Sequence, residues 1–494
     1  MQTTDYIAKE KLLPQHDGLF YGGAWHAPRS GRYVDSFNPA SGVRIGRSAD
    51  GGTADVDAAV AQAIKGFAVW RKVAPRERGR ILREIAIVIR QNARELGHLD
   101  SLDNGSPIRS MIEDAMTAAA RFEFFAGLVT ELKGSSIPMG ESVVNFTARE
   151  PMGVVARIVA FNHPFMFTAS KMPAPLIGGN SIIIKPPDQA PLSALRLAEL
   201  IGEMLPAGVM SILTGGREVG QALAAHKDVR MIGLVGSVET GRAVMRSASD
   251  TIKPLLFELG GKNALIAFPD AYPEAVAAAA VEGMNFTWCG QSCGSTSRIF
   301  LHEAIHDATL QAIKRRVARF VPGLPDDPET TMGCLISQPH YDRVKRYIAS
   351  GLEQGASLVY GGGHPSGDAF AAGHFIEPTV FANVRQDMVI AREEIFGPVM
   401  AVLKWRDESA MLRDVNELEL GLTCSIWTND LHVAHRTAAA VEAGYVWINE
   451  VSKHFMGAPF GGVKQSGIGR EECLDEMLAF TQQKNIHIRW KAAM

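Results

Sequence analysis

Cysteine is scarce: there are five in 494 residues, an odd number, and no two form a CxxC pair. That excludes the disulfide framework of small secreted domains. Cys289 and Cys293 are four apart, but no histidine cluster stands beside them to complete a zinc site, so no metal is expected. No apolar run approaches the roughly 18 residues that cross a bilayer, so no membrane partner is expected. The opening residues, MQTTDYIAKEKLLPQHDG, lack the apolar core of a secretory signal. A reducing cytoplasm is the expected location. There is no long run of Lys or Arg, and formal net charge is -3. A nucleic-acid partner leaves a basic stripe, and none is expected here. Internal repeats and low-complexity segments are also missing.

What is present is an ordinary globular balance, 46% hydrophobic against 21% charged. The length suits two or three domains of roughly 100–200 residues each. The start reads as loop and short strand to about residue 50. Thr53 then caps a helix whose Val56, Val60, Ile64 and Phe67 fall on one face. A second helix begins near Pro75 and turns Leu82, Ile85 and Ile89 inward; residues 111–130 are helical too. Residues 133–150 break this pattern. Turn residues surround Pro138 and Gly140, and Val143, Asn145 and Thr147 then alternate as in a strand or hairpin.

From residue 153 strands and helices alternate. Strands fall at 153–161, 181–185, 208–213 and 229–236, with helices after about 167, over 190–201, near 217–225 and after Ser237. That rhythm implies a parallel, doubly wound α/β sheet, which binds ligands at the carboxyl ends of its strands. A second alternating series fills about 261–450, with strands at 297–302, 399–405, 422–428 and 445–449 and a helix to about 319. The tail at 484–490 is β-prone and follows a helix. As an edge needing a partner, it can pair with the 143–150 strand of a neighbouring subunit.

Several segments carry possible chemistry, and each alone has a plainer reading. Cys293 sits among small residues in GQSCGS (290–295), on a stretch with no apolar periodicity. Such a loop can aim a thiolate into a cleft, but a cysteine by itself is more often a small buried apolar residue. Cys289, Cys334, Cys424 and Cys473 keep that plainer reading. Glu258 ends the short apolar strand 255–257 and begins ELGGKN; it is placed for general-base work, or it is a solvated turn residue. Asn162 follows the strand from 153 and precedes Pro164. Its amide can donate to an oxyanion or simply make an Asx turn. His163 is read as structural. Lys185 and Asp188 close the strand 181–185, where they can meet a ribose or a phosphate, or form a charged turn. Gly236 and Ser237 stand at a strand-to-helix junction, where free N–H groups can hold a pyrophosphate. The pattern is neither GxGxxG nor a P-loop, since Arg242 and Ala243 occupy the positions of Lys and Ser/Thr.

Taken together and in this order, the segments resemble the aldehyde dehydrogenase superfamily. The signatures are ELGGKN (258–263), GQSC (290–293) with Arg298 following, EEIFGP (393–398) and PFGGVKQSG (459–467). The resemblance runs from about residue 20 to 490. It implies a Rossmann-like cofactor domain, a second α/β catalytic domain and a small β oligomerisation element. Their expected ranges are 1–130 and 152–260 with 466–480 returning, 261–465, and 131–151 with 481–494, respectively. The activity implied is NAD(P)-dependent oxidation of an aldehyde to a carboxylic acid. By resemblance Cys293 adds to the aldehyde, Asn162 and the Cys293 N–H hold the oxyanion, and Glu258 activates the water that hydrolyses a thioester. Lys171 and Glu471 match a proton relay. Phe161, Lys185, Asp188, Gly236, Ser237, Glu394 and Phe396 match contacts to the cofactor. Met166, Ser170, Ser292, Gly294, Ser452, His454 and Phe460 match the lining of the aldehyde tunnel.

Three positions depart from the family's habit. Asp188 stands where Glu is frequent, yet a carboxylate there still repels a 2′-phosphate, so NAD is favoured with NADP possible. Phe161 replaces a common Trp. Ser170 replaces a frequent large aromatic, which widens the tunnel and suggests a bulky or aromatic aldehyde. Glu258 argues against the CoA-acylating branch, which generally lacks it. That branch is one alternative, and a semialdehyde dehydrogenase acting on a carboxylated aldehyde, drawn by Lys453 and His454, is another. By resemblance the protein is a homodimer or homotetramer.

Overall fold

A strand such as SIIIK has no polar face to offer solvent, and all five of its residues are buried. That is the signature of a central strand in a parallel sheet covered on both faces. The computed structural model describes residues 12–490. Five parallel strands lie side by side in the order Met210–Ile212, Ser181–Lys185, Val154–Ile158, Val229–Val235, Leu255–Glu258. The chain builds outward from Val154–Ile158 through two strands, then returns to its other side with Val229–Val235. The strand order reverses at that pair, which is where a doubly wound sheet opens a crevice at its carboxyl edge. Gly467–Ile468 pairs antiparallel with Leu255–Glu258 and brings the segment after PFGGVKQSG back to this sheet.

The first long helix, Thr53–Trp70, departs from its expected face. Its buried stripe is Val56, Ala59, Val60, Ala63, Gly66 and Trp70, whereas Ile64 is 43% exposed. Close approach decides this: a Cβ on Gly66 would lie 2.2 Å from the carbonyl carbon of Gly208, so small residues must face the sheet. Thr53 is the first helical residue rather than the cap. Gly52 takes the cap position, and its N–H donates to Asp55 (3.0 Å). The helix Ala93–Asn104, not separated in the pattern reading, packs between Ile108–Gly127 and Leu192–Ile201.

A second sheet has the order Ser357–Tyr360, Thr379–Ala382, Val399–Trp405, Arg298–His302, Ala264–Ala267, Thr423–Trp427, Tyr445–Ile448. It is parallel except at Ser357–Tyr360. Three of these strands escaped the pattern reading. Each is four residues long, and Ala264–Ala267 carries two alanines where a strand signal needs branched side chains.

The tail corrects a second expectation. Thr481–Arg489 pairs antiparallel with Val143–Pro151 of the same chain, from Thr481↔Pro151 to Arg489↔Val143. The helix Leu474–Ala479 packs on Pro173–Ile177, and the Asn180 amide donates to the Phe480 carbonyl (2.9 Å), which steers the tail back along its own chain. Ser136–Ile137 adds a third strand, and Ile137, Val144, Ile488 and Trp490 remain exposed around this small sheet. Among the described residues no helix is long and apolar enough to cross a membrane. The expected domain ranges include residues 1–11 and 491–494, which lie outside the described residues.

Candidate active site

The cysteine loop is built by unusual backbone. Asn285 and Cys289 take left-handed φ values of 57° and 54°, and Gly290 follows at 67°. A Cβ on Gly290 would come 2.2 Å from the Gly397 carbonyl oxygen, so this turn requires glycine. Asn263 of ELGGKN then pins the loop. Its Nδ2 donates to the carbonyls of Cys293 (2.7 Å) and Ser295 (3.0 Å), and its Oδ1 accepts from the Thr423 N–H (3.0 Å). Cys293 is partly exposed, while Cys289, Cys334, Cys424 and Cys473 are buried. Burial pushes the Cys293 thiol up to about 12, with Glu258 and Glu394 adding to it and Lys171 opposing. A thiolate there needs help from a base or a cation.

Glu258 is the last residue of its strand and is buried, with neither carboxylate oxygen hydrogen-bonded. Burial raises its carboxyl well above the ordinary range; Glu471 adds to this and Lys171 counteracts it. Gly461 of PFGG leaves the room it occupies, since a Cβ there would lie 2.7 Å from Oε1. Behind it Glu471 is gripped by both Lys171 and Arg157, all three buried. Burial works to raise the Glu471 carboxyl, but the two cations outweigh it and hold it low.

Two clefts meet at these residues. The first, about 320 Å³, sits at the reversal of strand order and is lined by Phe161, Lys185, Asp188, Gly236, Ser237, Glu394 and Phe396. Every residue expected at the cofactor is there. Ser237 caps the helix Val238–Ala248, its Oγ accepting from the Thr240 N–H (3.1 Å). The Lys185 side chain is largely buried, and the nearest carboxylate to its ammonium is Asp188 at 4.0 Å. Burial lowers its pKa, with Asp188 opposing. Glu394 accepts from the Gly261 N–H (3.0 Å), and burial lifts its carboxyl to about 7. An ammonium facing the cleft, a helix N-terminus and apolar walls at Val159, Leu234 and Phe396 suit a dinucleotide's phosphates, ribose and ring. His340 and Arg343 also line this cleft. They come from the distant helix Gln338–Glu353, and no motif marks them.

The second cleft, about 330 Å³, is lined by Met166, Ser292, Gly294, Ser452, His454 and Phe460, together with Lys171 and Glu471. Ser170 is the exception: it is buried and does not line the cleft, and its hydroxyl has no partner. Ser170 stands i+4 from Met166 and i+3 from Phe167 on the helix Pro164–Ser170, yet it is buried and does not reach the cleft surface that these two line. Glu113, Asp114, Thr117 and Arg121 form one wall that the sequence reading missed. Their spacing is a polar stripe at i, i+1, i+4 and i+8 on a largely buried helix, a readable signal. Trp288 and Trp447 add aromatic surface. Arg121 is held by Glu472, whose other oxygen lies 3.1 Å from His454 Nδ1. His163 pairs with Asp114 at 2.7 Å. Lys453 is not part of this lining and pairs instead with Glu282 (3.3 Å). Asn162, Val235, Glu258 and Cys293 line both clefts.

The family model described as "Aldehyde dehydrogenase family" matches residues 25–486. The chain is 51% identical to aldehyde dehydrogenase tropH of Talaromyces stipitatus, over 97% of this chain and 94% of that protein. It is 39% identical to the betaine aldehyde dehydrogenase of Brucella melitensis, over 95% and 96% respectively. Among solved structures, PnpE of Pseudomonas sp. WBC-3 with bound nicotinamide adenine dinucleotide superposes with a TM-score of 0.94 at 39% identity, covering 97% of this chain and 99% of that one. The NAD+ complex of a Bacillus cereus aldehyde dehydrogenase gives 0.94 at 33% identity, covering 98% of each.

Proposed function

The chain belongs to the aldehyde dehydrogenase family, and from that premise we propose that it oxidises a bulky or aromatic aldehyde to its carboxylic acid at Cys293, with NAD as the preferred acceptor. It is an NAD(P)-dependent, aldehyde-oxidising oxidoreductase. One observation carries the assignment of roles: Asn162, Glu258 and Cys293 stand where the two clefts meet. A nucleophile, a donor and a base shared by both chambers can act on one carbon.

In the proposed sequence the Cys293 thiol releases its proton to water in the cleft, favoured by the Lys171 charge, the sulfur bonds to the aldehyde carbon, and the carbonyl π electrons move to oxygen. The Asn162 amide and the Cys293 N–H donate to that oxyanion. NAD(P), when bound, accepts the hydride leaving the adduct carbon, and Cys293 is left acylated. Lys185, Asp188, Gly236, Ser237, Glu394, Phe396 and Phe161 are assigned to hold the dinucleotide. Glu258 takes a proton from water, whose oxygen bonds to the acyl carbon as the C–S bond breaks. Lys171 and Glu471 are assigned to the relay that carries that proton away from Glu258. Residues 1–130, 152–260 and 466–480 are assigned to the cofactor domain, 261–465 to catalysis, and 131–151 with 481–494 to oligomerisation.

The substrate reading rests on Phe167, Trp288, Trp447 and Phe460 in the aldehyde cleft. A carboxylated aldehyde fits poorly. Glu113, Asp114 and Glu472 line the cleft, and its fixed cations Arg121 and Lys171 are already paired. The same acidic, aromatic lining favours a second reading, a quaternary ammonium aldehyde, the class that the betaine aldehyde dehydrogenase relative is named for. The test is a panel of benzaldehyde, hexanal, betaine aldehyde and succinate semialdehyde, each with NAD and with NADP. Benzaldehyde with NAD should give the highest kcat/KM, and added CoA should yield no acyl-CoA. A betaine aldehyde maximum would install the second reading; no turnover of benzaldehyde would end the first. Equal use of NADP would remove Asp188 as the discriminating carboxylate.

We further propose a homodimer or homotetramer joined through the small sheet, because Ile137, Val144, Ile488 and Trp490 are exposed on it. Sedimentation should give the dimer or tetramer mass, and Trp490→Asp should shift the distribution towards monomer. A monomer in the unmodified protein contradicts this.

A further inference from the structure

The spacing between Asn162 and Cys293 has to be fixed by something, because the two residues come from loops of different sheets. The backbone on the Asn162 side is held from the helix Ala93–Asn104. Asn104 is fully buried, and its Nδ2 donates to the carbonyl of Phe161, the residue before Asn162, at 2.6 Å. Its Oδ1 accepts from the Ser106 N–H (2.9 Å), and the Ser101 hydroxyl donates to the Ser106 carbonyl (2.7 Å). The turn between them is closed by Gly105 at φ 87°.

The Cys293 side is held by Gln291, two residues before the nucleophile and 1% exposed. Its Nε2 donates to the Cys334 carbonyl (3.2 Å), and its Oε1 accepts from the Ile336 N–H (3.0 Å). Cys334 joins the two halves. Its N–H donates to the Gly105 carbonyl at 3.0 Å. The contact is so close that a Cβ on Gly333 would lie 2.1 Å from the Gly105 oxygen, and one on Gly105 would lie 2.6 Å from the Cys334 sulfur. A continuous path of hydrogen bonds and peptide links therefore runs from Phe161 through Asn104, Gly105 and Cys334 to Gln291.

We propose that Asn104 and Gln291 are positioning residues at the two ends of this bridge, setting the distance between the oxyanion donor Asn162 and the nucleophile Cys293. The proposal rests on the roles assigned above to Asn162 and Cys293. Neither bridge residue lines either cleft, so neither touches substrate or cofactor. Their effect must pass through the two residues they hold. Misplacing reacting groups by about 1 Å costs on the order of a hundredfold in rate. A purely structural role would lower stability without singling out kcat.

A mutant cycle decides it, measured with benzaldehyde, or with hexanal if that is turned over faster. Asn104→Ala should lower kcat by about ten- to a hundredfold, while KM for NAD stays within about twofold. In an Asn162→Ala background the same change should cost no more than about twofold further, because the donor it positions is gone. Gln291→Met reaches the bridge from the other end. It should lower kcat similarly and change the rate at which iodoacetamide alkylates Cys293, so the bridge is tested even if Asn104→Ala fails to fold. Wild-type kcat in both Asn104→Ala and Gln291→Met would overturn the bridge. So would an undiminished loss from Asn104→Ala in the Asn162→Ala background. If Asn162→Ala alone keeps full kcat, the oxyanion assignment fails first and the bridge falls with it. That result is distinct from a slow Asn162→Ala beside an unaffected Asn104→Ala.

Discussion

Cys293→Ala should abolish NADH formation, by about 10⁴-fold or more, while thermal unfolding and NAD binding stay close to those of the unmodified protein. The size of the loss follows from the chemistry. Without a sulfur to add, the aldehyde forms no covalent tetrahedral adduct on the enzyme from which hydride departs. The preserved fold follows from how the loop is held. Asn263 binds the carbonyls of Cys293 and Ser295, and Gln291 binds the Cys334 carbonyl, so the loop is held by groups other than the Cys293 sulfur, which meets only the backbone N–H of its own residue. Cys293→Ala also removes the one partly exposed thiol among five, so labelling by a thiol reagent in the folded state should disappear with it. Turnover that persists in this variant would remove the nucleophile from the account.

Glu258→Gln should separate the two halves of the reaction. Acylation should still deliver about one NADH per active site as a burst. The steady rate behind it should fall by about 10²- to 10⁴-fold, the usual worth of a positioned general base. Glutamine keeps the shape of the side chain, and neither Glu258 oxygen has a hydrogen bond to lose. The pH dependence has a definite sign. Burial and Glu471 raise the Glu258 carboxyl. The base acts only when ionised, so the wild-type steady rate should fall as pH drops through that raised value. This acid limb should lie above the roughly 4.3 of an ordinary glutamate. It should be missing from the Glu258→Gln profile. Glu471 should add no limb at neutral pH, since Lys171 and Arg157 hold it low.

The sequence made the motif-bearing residues legible because each stands where regular structure ends. Glu258 closes an apolar strand, Asn162 follows one, and Ser237 opens a helix, so periodicity alone places them at the binding edge. Residues that reach the site from the middle of an element stayed hidden. Arg121 and Glu113 lie within Ile108–Gly127, and His340 and Arg343 within Gln338–Glu353. The stripe through Glu113 and Arg121 marks a polar face, but the cavity that this face meets is set by packing, as it is for His340 and Arg343, which no pattern marks. Ser170 differs in depth: it shares a helical face with Met166 and Phe167 but is buried and does not reach the cleft. The tail strand was recognised as a strand needing a partner. Its partner's identity was set by Asn180 and the preceding helix, which are local contacts of the folded chain. Ile64 shows the converse, where close approach of Gly66 to Gly208 overrode hydrophobic periodicity.

The central claim is that Cys293 passes through a thioester released by water under Glu258. The most direct measurement is peptide mass spectrometry of the Glu258→Gln enzyme, mixed with NAD and benzaldehyde and quenched in acid after the burst. A benzoyl group on the peptide containing Cys293, in amount matching the NADH released, is the predicted result. NADH released with Cys293 unmodified, or an acyl group on any other residue, would contradict it.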